Sequence, residues 1–452
     1  MDENEKVVVR FAPSSTGPFH VGGARTALFN YLFAKKSGGK FIVRIEDTDK
    51  QRSEKKYEEQ ILDSLKWLSI KWDDLYKQSD RSEIYEKYLK KLVADGFAYI
   101  SKEEKKTEGS RDEVIRFKNP NKKIAFEDLI KGVITFDTTE LGDFVIAKSL
   151  DEPLFHLAVV VDDYEMGITH VIRGEDHISN TPRQMLIQEA IGAKSPRYAH
   201  IPLILADDRS KLSKRKHGES VTVIHYRSLG FLPEAIVNFL AFLGWNPGSQ
   251  KELYTLRELI TDFDISQVQK NNAIFNMAKL RWFNREYLKL LPQDVVFASL
   301  RNAADTTPVK IDEGVLKRAQ NTIMERINTY SDFGDQIKTG EWDWLFREPL
   351  PSRELLLWKK CPDAQMTAAR IKMFQDMVGT LPPENFKAET ISGIVMDAAI
   401  REGKGEMLWP VRAALSGKDK SPDPFTLCEI LQKDTVNKRL DIARKILLLN
   451  ND

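Results

Sequence analysis

Two short segments carry residue types that handle phosphate. The first is Phe19-His20-Val21-Gly22-Gly23, which lies between a strand-like run and a helix-like run. Glycines at a helix start let the backbone approach a ligand closely. The helix end adds free N–H groups and the positive end of its dipole, and an imidazole can donate to a phosphate oxygen. The second is the basic run Lys211-Leu212-Ser213-Lys214-Arg215, whose cations could hold a leaving pyrophosphate. Taken singly, the first segment reads as a turn and the second as a solvated basic loop. Neither G-x-x-x-x-G-K-[ST] nor G-x-G-x-x-G occurs in the chain, so the P-loop and dinucleotide-fingerprint readings fall away.

The surrounding elements must place these two segments together. Val7–Ala12 reads as a buried strand and Gly22–Lys36 as a helix with Ala24, Leu28 and Leu32 on one face, stopped at Gly38-Gly39. Phe41–Ile45 reads as a second strand. A strand, a helix and a strand at this spacing form a βαβ unit and imply a parallel sheet. From about 94 to 152 the text turns charged and turn-rich, with strand-like runs at Val114–Phe117, Val133–Phe136 and Phe144–Ala147. The α/β pattern then resumes, with strands expected at Leu157–Asp162, Thr169–Arg173 and Ile201–Leu205. A helix is expected with Thr181 as N-cap, Pro182 at N1 and a stop at Gly192. After about 230 helical periodicity dominates, as in Leu232–Phe242, Val315–Ile327 and Lys438–Leu449. Trp342 and Trp344 are expected in a core.

The expected fold is α/β: a Rossmann-like parallel-sheet domain split by an α+β insertion and followed by an all-helical C-terminal region. The expected boundaries are 1–93 and 153–205 for the two halves, 94–152 for the insertion, 206–300 for the domain that carries the basic loop and 301–452 for the helical region.

Composition narrows the class. With 452 residues and 42% apolar content the chain can build several cores, yet no apolar run is long enough to span a bilayer. The acidic start Met1–Glu5 does not resemble a secretory signal, and two distant cysteines, Cys361 and Cys428, argue against a disulfide framework or a cysteine metal site. A net charge of +1 means that any nucleic-acid contact must rest on local basic patches. All seven histidines lie at or before His225, which would suit chemistry in the N-terminal half.

As a pair on a split parallel sheet, His20-Val21-Gly22-Gly23 and Lys211-Leu212-Ser213-Lys214-Arg215 resemble the HIGH and KMSKS motifs of class I aminoacyl-tRNA synthetases. Gly23 stands at the motif's second histidine and Leu212 at its methionine. Further segments resemble bacterial and organellar glutamyl-tRNA synthetases. These are Arg10 to Gly17, Arg44-Ile45-Glu46-Asp47-Thr48-Asp49, Val161-Asp162-Asp163, His170 to His177, Gly230 to Ala235, Leu243-Gly244-Trp245 and Leu408 to Pro422. The resemblance runs nearly end to end.

It implies an ATP-dependent ligase that joins L-glutamate to tRNA-Glu through glutamyl-adenylate, releasing AMP and pyrophosphate, as a cytoplasmic monomer using ATP with Mg2+. The residues it implies for catalysis are His20, Lys211, Ser213 and Lys214. Those implied for ATP are His20, Gly22, Gly23, Asp176, Ile204, Lys211, Leu212, Ser213, Lys214 and Arg215. Those implied for glutamate are Arg10, Ala12, Ser14, Glu46, Phe155, Val159, Arg173 and His177, with Glu46 serving the amine and the arginines a carboxylate. Phe155 stands where many members carry Tyr; Val159 and His177 stand where certain members carry Asn and Trp. Either arginine could instead pair with Asp162, Asp163 or Glu175 and only hold loops together. Asp47 and Asp49 are expected to cap and to hold arginines rather than to bind metal. Some members hold zinc with Cys-x-Cys in the insertion, but the matching Phe97–Lys102 has no cysteine, so no zinc is expected. Charging of tRNA-Gln as well remains an alternative, as does an inactive, synthetase-like RNA- or protein-binding protein. The helical tail argues against a glutaminyl enzyme, which would carry a β-rich region there.

Overall fold

The computed structural model describes residues 6–49, 51–103, 113–212, 214–359 and 363–449, with only the backbone of Lys214 and Arg215. The chain divides into two compact units, Met1–Asn284 and Arg285–Asp452.

The first unit begins with β1 (Val8–Phe11), α1 (Val21–Lys36), β2 (Lys40–Ile45), α2 (Lys55–Trp67), β3 (Asp74–Lys77) and α3 (Ser82–Ala94). Six strands follow: β4 (Ala98–Lys102), β5 (Glu113–Phe117), β6 (Lys123–Asp128), β7 (Gly132–Asp137), β8 (Phe144–Ser149) and β9 (Glu152–Pro153). Then come α4 (Phe155–Glu165), β10 (His170–Gly174), α5 (Thr181–Ile191), β11 (Arg197–Ile201), β12 (Ile204–Leu205), α6 (Lys214–His217), α7 (Val223–Ser228), α8 (Pro233–Phe242) and β13 (Ala273–Ile274).

The main sheet runs β3-β2-β1-β10-β11-β6-β7. Its pairings are parallel except for the antiparallel β6–β7 hairpin at one edge. The buried runs of β1 and β2 fit a sheet covered on both faces. Helix α1 packs against β1, and its buried Asn30 donates to the Ile172 carbonyl at 2.9 Å. It ends at Ser37, followed by Gly38 with φ +60°. A second, antiparallel sheet runs β4-β5-β8-β9. Apolar side chains from this sheet and from α3, α4 and α5 form one core, so the inserted strands acquire helical cover from the elements that flank them.

Four expectations change. Leu157–Asp162 lies in α4, not in a strand. Its β-branched run reads as β, yet Leu157 through Asp163 are all buried, so packing on every side overrides propensity and erases any amphipathic signature. The hairpin that includes Val133–Phe136 lies in the insertion by sequence but extends the main sheet, through β6 alongside β11. Ile201–Leu205 is not one strand: β11 ends at Ile201, Pro202 interrupts, and β12 pairs with β13 in a separate small sheet. The N-cap of α5 is Asn180, because a 3-10 turn over Glu175–Asn180 feeds straight into the helix and Thr181 is already helical. Gly192 does stop α5, in the left-handed conformation.

The described residues of the second unit are helical. Helices Gln293–Asp305, Glu313–Met324, Tyr330–Lys338, Ala364–Gly379, Ala388–Glu402, Lys404–Ser416 and Pro424–Leu448 share one apolar core. Trp342 and Trp344 are both in that core. No helix among the described residues is long and apolar enough to cross a membrane.

Candidate active site

A cavity of about 390 Å³ opens at the carboxyl ends of β1, β2, β10 and β11. Strand β1 has β2 on one side and β10 on the other, so the connection order reverses there, where open α/β sheets gather ligands. Every expected site residue whose side chain is described lines this cavity. On the glutamate side these are Arg10, Ala12, Ser14, Glu46, Phe155, Val159, Arg173 and His177. On the ATP side they are His20, Gly22, Gly23, Asp176, Ile204, Lys211 and Leu212. Ser213 and the side chains of Lys214 and Arg215 lie outside the described residues.

His20 is the N-cap of α1, its Nδ1 accepting the Gly23 N–H at 3.1 Å. The neutral ring therefore carries its proton on Nε2, where it can donate to a ligand. Desolvation and the Lys211 ammonium hold its pKa below the ordinary value, which favours that neutral form. A Cβ on Gly22 would lie 3.0 Å from the His20 ring, and one on Gly23 would lie 2.9 Å from the Phe19 ring. Phe19 is buried against Phe11, so a side chain at 23 has no room. Across the cavity Lys211 Nζ pairs with Asp176 at 2.9 Å. Burial would raise the Asp176 carboxyl, but Lys211 outweighs it and holds the pKa low. Lys211 is placed by a turn in which Ala206 N–H bonds to Ser210 O and Leu212 N–H to Ile204 O.

The other end of the cavity is a network of charges. Arg10 donates from Nε to Asp163 Oδ1 at 3.0 Å, and Arg44 reaches Asp163 at 2.7 Å, Glu46 at 3.1 Å and Asp162 at 3.6 Å. Arg81 pairs with Asp162 at 2.7 Å. The acidic pair sits on α4, whose two preceding turns present Val159 and Phe155 to the cavity at an i, i+4 spacing. Burial would raise Asp163, yet Arg10 and Arg44 pull its pKa below normal, while burial dominates at Glu46 and pushes its pKa up. Arg173 is different. It is only 6% exposed and is held by Gln184 Oε1 at 2.7 Å, Thr181 Oγ1 at 2.8 Å and His200 Nε2 at 3.1 Å. Among the described residues no carboxylate pairs with it. Burial, with repulsion from Arg10, lowers its pKa to about 10, so it stays charged at neutral pH. Arg10, Arg44 and Arg81 thus share Asp162, Asp163 and Glu46, while Arg173 has no ion-pair partner among the described residues.

His177 packs against Phe155 with ring centroids 6.0 Å apart, and burial with the nearby Arg173 lowers its pKa to about 4. Asp47 accepts from the Ser79 N–H and hydroxyl, and Asp49 from Arg52. Sequence reasoning missed Arg25, which lines the cavity from α1 and donates to the carbonyls of Leu243 at 2.9 Å and Pro202. Its signal was a cation inside an otherwise apolar helix stretch. Thr26 and Pro202 also line the cavity without having been expected.

The model of the catalytic domain of class I tRNA synthetases (E and Q) matches residues 6–108 and 100–282, and an anticodon binding domain matches 286–444. The glutamate–tRNA ligase of Thermodesulfovibrio yellowstonii is 40% identical, over 96% of this chain and 98% of its own length. That of Aquifex aeolicus is 38% identical, over 96% and 98%. The crystal structure of a glutamate tRNA ligase from Elizabethkingia meningosepticum in complex with its amino acid superposes with a TM-score of 0.86 and 30% identity, covering 98% of this chain and 100% of that one.

Proposed function

The chain belongs to the glutamate–tRNA ligases of the class I aminoacyl-tRNA synthetases, and from that premise we propose how its cavity ligates L-glutamate to tRNA-Glu at the expense of ATP. The observation that carries the assignment of substrate to residues is Arg173, a buried cation lining the cavity without a carboxylate partner among the described residues. The side-chain carboxylate of glutamate can pair with this cation, whereas the carboxamide of glutamine carries no charge to do so.

In this reading Arg173, with Arg10 beside it, receives the side-chain carboxylate. A planar fork reads that group through charged hydrogen bonds. Glu46, held at Oε1 by Arg44, receives the ammonium. Ala12, Ser14, Phe155, Val159 and His177 shape the remaining walls. At the other end, Gly22 and Gly23 open the start of α1 to the triphosphate, and His20 Nε2–H donates to a phosphate oxygen. Asp176, Ile204 and Leu212 bound the nucleotide. Lys211, Ser213, Lys214 and Arg215 stabilise charge on the departing pyrophosphate. Magnesium enters with ATP as the substrate's counter-ion.

A carboxylate oxygen of glutamate's α-carboxyl attacks the α-phosphorus, the bond to the bridging oxygen breaks, and pyrophosphate leaves with that electron pair. A hydroxyl of the tRNA's terminal adenosine then attacks the carbonyl carbon of glutamyl-adenylate, the bond from that carbon to the phosphate oxygen breaks, and AMP leaves with its electron pair while the hydroxyl proton passes to the departing phosphate or to water. No side-chain nucleophile is needed; orientation and electrostatics supply the rate.

The test is the glutamate dependence of tRNA charging by wild type and Arg173→Gln. Losing a charged hydrogen bond should raise the KM for glutamate by about tenfold or more and narrow the preference over glutamine. Unchanged kinetics would remove Arg173 from substrate recognition. Running tRNA-Gln in parallel reads whether both tRNAs are charged.

A further inference from the structure

A buried chain of hydrogen bonds connects the inserted hairpin to Arg173. Asp128, the last residue of β6, is 2% exposed, and His200 on β11 is fully buried. Asp128 Oδ1 accepts the N–H groups of Ile130 at 3.0 Å and Lys131 at 2.8 Å. Its Oδ2 accepts the His200 backbone N–H at 3.0 Å and faces His200 Nδ1 at 2.6 Å. The other ring nitrogen, Nε2, lies 3.1 Å from Arg173 Nε.

A guanidinium nitrogen can only donate, so His200 Nε2 must present its lone pair to Arg173. The ring proton then sits on Nδ1 and is donated to Asp128. A carboxylate that fixes a histidine's tautomer in this way also fixes the ring's orientation. Tyr198 stacks on the same ring, 6.0 Å away and 8° from parallel. Asparagine could not replace Asp128. Its amide would turn an N–H either toward His200 or toward the N–H groups of Ile130 and Lys131. Gln184 and Thr181 hold the other two nitrogens of Arg173, and the relay supplies the third hydrogen bond, at Nε.

We propose that Asp128 and His200 are positioning residues for recognition of the substrate carboxylate. Asp128, carried by a hairpin of the inserted segment, sets the His200 tautomer that holds Arg173 Nε–H. The proposal rests on the reading that Arg173 binds glutamate. It makes the seating of the inserted hairpin against β11 a condition of amino-acid binding, because the same residue pairs the two strands and starts the relay.

The experiment is steady-state charging of tRNA-Glu with glutamate and ATP varied separately, for His200→Leu, His200→Gln, Asp128→Asn and Arg173→Gln in the full chain. A glutamine side chain at 200 can donate to Asp128 and accept from Arg173. His200→Leu and Asp128→Asn should raise the KM for glutamate by about tenfold while kcat and the KM for ATP stay within about twofold. His200→Gln should stay within about threefold of wild type. If His200→Leu does not fold, His200→Asn replaces it, since its amide is too short to span both partners. The relay is overturned if Arg173→Gln raises the KM for glutamate and the 128 and 200 variants do not. It is also overturned if those variants lower kcat and ATP affinity as much as glutamate affinity, which marks general damage, or if His200→Gln is as impaired as His200→Leu. Should Arg173→Gln itself leave the KM unchanged, the underlying reading of the site fails instead.

Discussion

Asp163 takes two guanidiniums on one carboxylate: Arg10 and Arg44 both bond its Oδ1, and all three side chains are buried. Removing one member of such a cluster strands the others' charge in a medium that solvates it poorly. Asp163→Asn should therefore destabilise the first unit by about 3–5 kcal/mol, read as a shift in urea unfolding. A loss below about 1 kcal/mol would mean that water or another carboxylate reaches these arginines. At this scale the residues that line the cavity were legible in the sequence, because their types and spacing follow motifs shared with a known family. The residues that hold them were less so. Arg25 and the Asp128–His200 pair act through contacts between segments far apart in the chain, and no local pattern announces such contacts. The competing reading of Arg10 as a partner of Asp163 also holds: the same guanidinium pairs with Asp163 and lines the cavity.

The start of α1 shows how an element constrains its motif. Gly23 occupies the position of the motif's second histidine, and the ring of Phe19 fills the space that a side chain would need. Gly23→Ala should cost about 1–3 kcal/mol of stability and raise the KM for ATP, because the turn that places His20 must shift. Normal stability and ATP affinity would show that Phe19 yields freely. Elements with one exposed face were read well from their periodicity, as the short strands of the insertion were, and α1, though buried nearly all round, was marked by its length and by the Gly38-Gly39 stop. Helix α4 was not. Its run of Leu157 to Val161 is apolar and β-branched and is buried all round, so neither period nor propensity could identify it. That error also hid the i, i+4 relation that sets Phe155 and Val159 side by side. The hairpin β6–β7 was visible as strand text, but its place on the main sheet depends on a long-range pairing with β11.

Across the whole molecule, every histidine belongs to the first unit. His156 and His177 are lowered to about 4, mainly by burial, and burial also lowers His20 and His200. A histidine depressed in the folded state binds fewer protons than in the unfolded chain as pH falls from its ordinary value toward the folded one. Stability must then decrease with falling pH across that window. Glu46, raised by burial, opposes this with a single group. Hydrogen exchange compared at pH 7 and about pH 5, corrected for intrinsic rates, should show protection lost mainly within 6–284 and largely kept in 285–449. Equal loss in both units would mean that the histidines do not govern acid sensitivity. The change to helical periodicity at about 230 falls inside the first unit, and the break at 284/285 falls within the helix Met277–Lys289.

Ligation of glutamate to tRNA by this cavity is open to direct test. The most direct measurement is ATP-dependent attachment of labelled glutamate to purified tRNA-Glu, by folded wild type and by Lys214→Ala. Wild type should charge tRNA-Glu, and the variant should fall by about a hundredfold or more, since a cation expected to stabilise transition-state charge is removed. Failure of folded wild type to charge tRNA-Glu, or full activity without the Lys214 ammonium, would contradict it.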